Sequence, residues 1–131
     1  MTKHKFTREY PINASPKILF PYLSTPGGLA RWFCEDVLVD EDKVFNFIWD
    51  NQSHYAIVSS FRSNKSIRFI FLDDAKNTVP EPNYIEFSIE TTELTQEQYL
   101  RVVDYSDDTD LEQLADLWEN LLQNLREIVG G

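Results

Sequence analysis

Few side chains in this sequence could carry chemistry. The two histidines, His4 and His54, lie far apart, with no H-E-x-x-H pair of zinc ligands. His54 is the candidate acid or base, because imidazole changes charge near neutral pH. It follows the Asp50-Asn51 turn, which predicts a place on a rim. The one cysteine, Cys34, lies between Trp32-Phe33 and Glu35-Asp36. The adjacent carboxylates disfavour the thiolate a nucleophile needs, so a buried structural thiol is expected. Arg68 and Arg101 fall in strand-like segments. Facing inward, either would bind a carboxylate or phosphate head; facing outward, it would pair with a residue such as Glu86. The acidic run Asp104, Asp107, Asp108, Asp110 and Glu112 lacks the glycine and spacing of a calcium loop and reads as a solvated helix start. Asp73-Asp74 and Glu81, in a loop with Pro80 and Pro82, also read as solvated. No group combines nucleophile, base and stabiliser, so no catalytic residue is assigned and a non-enzyme is expected.

The stronger signal is aromatic. Eighteen of the 131 residues are Phe, Tyr or Trp. Phe45, Phe47 and Trp49 share one face of a strand by period two, and Phe69 and Phe71 one face of another. Trp32, Phe33 and Trp118 come from helical segments. These side chains either fill a core or line a pocket for a flat or apolar ligand.

Composition removes several function classes. Lys plus Arg is 12 and Asp plus Glu 22, a formal charge of −10, which argues against a nucleic-acid partner. The charge is uneven: residues 1–33 carry five basic and one acidic side chain, residues 34–131 seven and 21. All four glycines sit at Gly27-Gly28 and Gly130-Gly131, so no phosphate loop or dinucleotide-binding turn can form. One cysteine excludes a disulfide framework and a multi-cysteine zinc site. No apolar run approaches the roughly 18 residues of a membrane span. Met1-Thr2-Lys3-His4-Lys5 lacks the apolar stretch of a signal peptide, so a cytoplasmic protein is expected. The length suits one domain, expected over 1–131, with no cofactor and no metal.

The elements that must position these residues follow from periodicity. Residues 3–12 alternate as a strand. Ser15-Pro16 is a cap-then-proline start to a short helix carrying Ile18, Leu19, Tyr22 and Leu23, which Pro21 should kink or shorten. Thr25-Pro26 repeats that signal and predicts a second short helix carrying Leu29, Trp32 and Phe33. Residues 35–40, 43–49, 53–61, 65–72, 83–91 and 98–105 read as six antiparallel strands. The last segment predicts a long helix with Thr109 and Glu112 as a capping box and Gly130 at its C-terminus. Leu111, Leu114, Trp118, Leu121, Leu125 and Ile128 form its apolar stripe, widened by Leu117 and Leu122. The order predicts an α+β fold with a curved sheet of about seven strands gripping the last helix. Residues 65–72 are apolar on both faces, so an exposed outer face would suit a protein partner or a homodimer.

Three stretches carry a family resemblance: Asn13-Ala14-Ser15-Pro16-Lys17-Ile18-Leu19-Phe20, then Leu23-Ser24-Thr25-Pro26-Gly27-Gly28-Leu29-Ala30-Arg31-Trp32-Phe33, then Leu117-Trp118-Glu119-Asn120-Leu121-Leu122-Gln123-Asn124-Leu125. The sequence resembles the START-like, or SRPBCC, superfamily with its helix-grip fold, in the branch related to activators of the Hsp90 ATPase. The resemblance implies a cavity between sheet and last helix that holds a small apolar or amphipathic ligand. Its candidate lining is Trp32, Phe33, Phe45, Phe47, Trp49, Phe69, Phe71, Trp118, Leu121, Leu122 and Leu125, with Arg68, Arg101 and His54 as polar contacts. A co-chaperone-like interaction module and a cyclase- or hydrolase-type enzyme are the other roles it implies. Glycine is absent from residue 29 to residue 129, so this chain's own aromatics are expected to fill part of any pocket.

Overall fold

The computed structural model describes residues 3–130; of the expected 1–131 span, Met1, Thr2 and Gly131 lie outside the described residues. Strand β1 (His4–Pro11) leads into three four-residue helices, α1 (Pro16–Leu19), α2 (Pro21–Ser24) and α3 (Pro26–Leu29). Six strands follow: β2 (Asp36–Val39), β3 (Phe45–Trp49), β4 (Gln52–Arg62), β5 (Ser66–Phe71), β6 (Tyr84–Thr91) and β7 (Gln98–Ser106). Helix α4 (Leu111–Val129) closes the order. The sheet is antiparallel throughout and curved, in the order β1-β7-β6-β5-β4-β3-β2, the α+β helix-grip arrangement expected. Among the described residues no helix is long and apolar enough to cross a membrane.

Proline and capping residues divide the N-terminal helices. Ser15 Oγ accepts from the Ile18 N–H at 3.3 Å, and Pro16 takes the first helical position. Pro21 ends α1 and starts α2, so what the sequence suggests as one kinked helix is two. Thr25 Oγ1 accepts from the Gly28 N–H at 3.0 Å and caps α3. A Cβ on Gly28 would lie 2.2 Å from the Pro21 carbonyl oxygen, so glycine permits the close approach of α2 and α3. Helix α3 stops at Leu29; Trp32 and Phe33, expected on a helix, sit in the turn beyond it.

The strand turns do without glycine. Asp50 and Asn51 join β3 to β4 with φ of 51° and 61°, the double positive φ of a two-residue hairpin loop. Both residue types tolerate the left-handed region.

Helix α4 buries Leu114, Trp118, Leu122 and Leu125 against the sheet. Leu117 lies about a quarter turn off that stripe and is half exposed, as is Leu111 in the first turn. The expected Thr109 cap is corrected: Asp110 Oδ1 accepts from the Gln113 N–H at 3.0 Å. Gly130, at φ 93°, takes the left-handed position after the helix, as expected.

Candidate functional site

Register decides which side chains meet between sheet and helix. Phe47 pairs with His54 and Phe45 with Ala56, so His54 shares the inner face with Phe45, Phe47 and Trp49. Ile85 pairs with Asp104 and Phe87 with Val102, which puts Asp104 on the same inner face, two residues beyond Val102. Inner-face residues of β3, β4, β6 and β7 therefore converge under α4.

Most of that space is solid. Phe33 is the hub, its ring centroid 5.1–5.7 Å from those of Trp32, Phe47, Trp49, Phe87 and Trp118. Trp32, Phe33, Phe45, Phe47, Phe69, Trp118, Leu122 and Leu125 are all buried in this core, and Leu121 packs against it partly buried. Each tryptophan N–H has a partner. Trp32 Nε1 donates to the Tyr22 carbonyl at 2.7 Å, Trp49 Nε1 to the Phe33 carbonyl at 3.0 Å, and Trp118 Nε1 to Asp104 Oδ2 at 2.9 Å.

Toward the N-terminal end of α4 the layers part around an open cavity of about 550 Å³. Its apolar wall is Trp49, Phe71, Ile85 and Leu114; its polar groups include His54, Asp104 and Ser106. Three expected lining or contact residues meet here: Trp49, Phe71 and His54. The other expected aromatics and leucines lie behind the wall rather than on it. Arg68 and Arg101 stand on the opposite face of the sheet. Arg68 Nε donates to Glu86 Oε1 at 2.9 Å, with its guanidinium over the Tyr84 ring, and Arg101 is exposed. A second cleft of about 520 Å³ lies between the β1–α1 and β6–β7 connections, with Glu97 its one charged side chain.

Asp104 is the site residue that its acidic neighbours conceal. It is not part of a solvated helix start. Burial pushes its carboxyl above the usual range, the Trp118 hydrogen bond opposes that rise, and Asp108 adds to it. The available signal is period two: Leu100, Val102 and Asp104 are in phase, and the first two are buried. His54 Nδ1 lies 3.2 Å from the Phe47 carbonyl oxygen. A carbonyl only accepts, so Nδ1 carries the proton and Nε2 is the acceptor of the neutral ring. Cys34 donates to the Asp36 carbonyl at 3.3 Å, and burial pushes its thiol up to about 11, which keeps it out of nucleophilic chemistry. Among the described residues no group of three or more His, Cys, Asp or Glu is placed to hold a metal ion.

The sequence model of a family described as the START-like superfamily domain matches residues 1–131. No curated protein matches the chain. Among solved structures, protein BfR322 from Bacteroides fragilis is 33% identical, with a TM-score of 0.62 over 98% of this chain and 92% of that one. The Aha1 dimer from Colwellia psychrerythraea is 21% identical, with a TM-score of 0.73 over 96% of each chain. Protein BH1534 from Bacillus halodurans is 19% identical, with a TM-score of 0.71 over 98% and 99%. The last two share the fold with this chain.

Proposed function

The chain belongs to the START-like superfamily, and from that premise we propose that it binds one small apolar or amphipathic molecule between the sheet and the start of α4. The observation that carries this reading is the 550 Å³ cavity, within the size range of small-molecule sites. It pairs an aromatic and aliphatic wall with a few convergent polar groups. Binding rather than chemistry is supported by the site's contents. The protonated Cys34, the strongest nucleophile type in the chain, lies outside the cavity.

Two measurements test the proposal together. Native mass spectrometry of protein purified from its own host should show one retained molecule per chain. The neutral fluorophore N-phenyl-1-naphthylamine should brighten on binding and be displaced by that molecule. A bare chain mass together with no fluorophore binding rejects the reading.

A second reading is association with another copy of the chain. It is favoured by exposed apolar side chains on the β2 side of the sheet: Leu38 and Val39 on β2 itself and Phe61 on β4. Sedimentation at working concentration should give twice the chain mass, and Phe61→Asp should halve it; a monomeric wild type rejects this reading.

A further inference from the structure

The cavity carries charge of one sign. Its lining holds three carboxylates, Asp74, Asp104 and Asp108, and no lysine or arginine. Three cations touch lining residues from outside and are already engaged: Arg68 lies over the Tyr84 ring and pairs with Glu86 at 2.9 Å, and two lysines are held likewise. Lys3 Nζ donates to the Glu81 carbonyl and, at 2.8 Å, to Asn83 Oδ1, with Asp107 at 3.9 Å. Lys76 pairs with Asp40 at 3.2 Å beside the Tyr55 ring.

The inner polar groups are acceptors looking for donors. Asp104 Oδ2 takes the Trp118 N–H, while Oδ1 has no donor among the described residues and is not sealed from the cavity. His54 offers Nε2 as an acceptor when its ring is neutral. A carboxylate withdrawn from water without a cation is costly, and a ligand cation offsets that cost. The adjacent wall of Trp49 and Phe71 suits the same partner, since aromatic faces attract cations. An entering anion would meet three lining carboxylates, while the nearest cations, Lys3, Arg68 and Lys76, each already face an acid.

We infer that the ligand is a cationic amphiphile: a protonated amine on a compact apolar or aromatic body, its ammonium on Asp104 and its body against Trp49, Phe71 and Ile85. This rests on the ligand-binding reading above. The ammonium supplies the donors Asp104 lacks, and the body displaces water from the apolar wall.

Three probes with one ring system and different charge test the inference. They are 1-naphthylmethylamine, 1-naphthalenemethanol and 1-naphthoate, titrated into the protein at pH 7.5 and followed by amide and indole NMR shifts. The ammonium should bind about tenfold or more tighter than the alcohol, as a charge-assisted hydrogen bond predicts, and the carboxylate weakest. Asp104→Asn keeps an acceptor for Trp118 and should bring the ammonium to within about twofold of the alcohol. The charge series in the wild type stands without that variant. Alcohol or naphthoate binding as tightly as the ammonium overturns the inference and leaves the ligand-binding reading in place. An unchanged ammonium affinity in Asp104→Asn overturns the assignment to Asp104. If no probe shifts the resonances of Trp49, His54 or Leu114, the ligand-binding reading falls and the inference with it.

Discussion

Leu114 and Leu122 lie two turns apart on α4 and both are buried in the core, but only Leu114 also borders open space. Leu122 is fully buried, in the core that holds Phe33, Phe47 and Phe87. Leu114 lines an open cavity shared with Asp104, His54 and Trp49. Trp118 stands between them, stacked on Phe33 and hydrogen-bonded to Asp104. The same helix and sheet thus make a close-packed core at one end and a binding cleft at the other. What differs is side-chain volume and satisfaction. At the packed end aromatic rings fill the space and the Trp32 N–H has the Tyr22 carbonyl as its acceptor. At the open end a carboxylate oxygen lacks a donor among the described residues, and the space is open.

The largest test of that difference is truncation. Phe33→Ala removes the hub and should cost about 3–5 kcal/mol, measured by urea unfolding. Phe71→Ala, on the cavity wall, should cost about half as much, because its ring is only partly buried in the folded chain. Equal losses would mean that the two ends are packed alike.

Next in size is a glycine pair that fixes how Trp32 and Phe33 enter the packed end. Gly28→Ala forces a Cβ into the backbone of Pro21 and Tyr22 and should cost about 3 kcal/mol or more, since neither neighbour can rotate away. Gly27 has nothing within 4 Å of its Cβ position. Gly27→Ala should therefore be neutral or stabilising by up to about 1 kcal/mol through helix propensity. Thermal unfolding of both variants separates close approach from propensity.

The packed end was the more legible in sequence. Phe45 and Phe47 share one strand face by alternation, and Ser15-Pro16 and Thr25-Pro26 mark their helices. The open end was obscured by its own polarity. Asp104 belongs by phase to Leu100 and Val102, yet the acids that follow it pull the eye toward solvent. Arg68 and Arg101 needed the register: strand phase is ambiguous where both faces of 65–72 are apolar, and only the pairing of Arg68 with Glu86 fixes it. The α4 cap was displaced by one residue because Thr109 and Asp110 are both good capping types, and the choice between them depends on how β7 delivers the chain.

That cap sits where α4 meets the open end and gives a smaller effect. Asp110→Ala should cost about 1 kcal/mol, since the Gln113 N–H loses its acceptor, and Thr109→Ala almost nothing. A larger loss at Thr109 in chemical unfolding would restore the capping box.

The smallest effect concerns Asp104 without ligand, and its sign is decisive. Burial raises its carboxyl in the folded chain above its value in the unfolded chain. Between the ordinary carboxylate range, about pH 4, and that raised value, the folded state holds more protons than the unfolded state. This contribution therefore falls as pH rises through that window, and the penalty is complete above it. Asp104→Asn cannot ionise and still offers Trp118 an oxygen. Its urea midpoint should exceed that of the wild type near neutral pH, and the gap should close as pH drops toward the ordinary carboxylate range. A gap that widens on acidification would mean that the folded chain stabilises the Asp104 anion. An ammonium ligand should reverse the ranking at neutral pH, because only the wild type then has a buried anion with its cation. A binding site held at a small standing cost in stability is what separates the open end of this fold from the packed one.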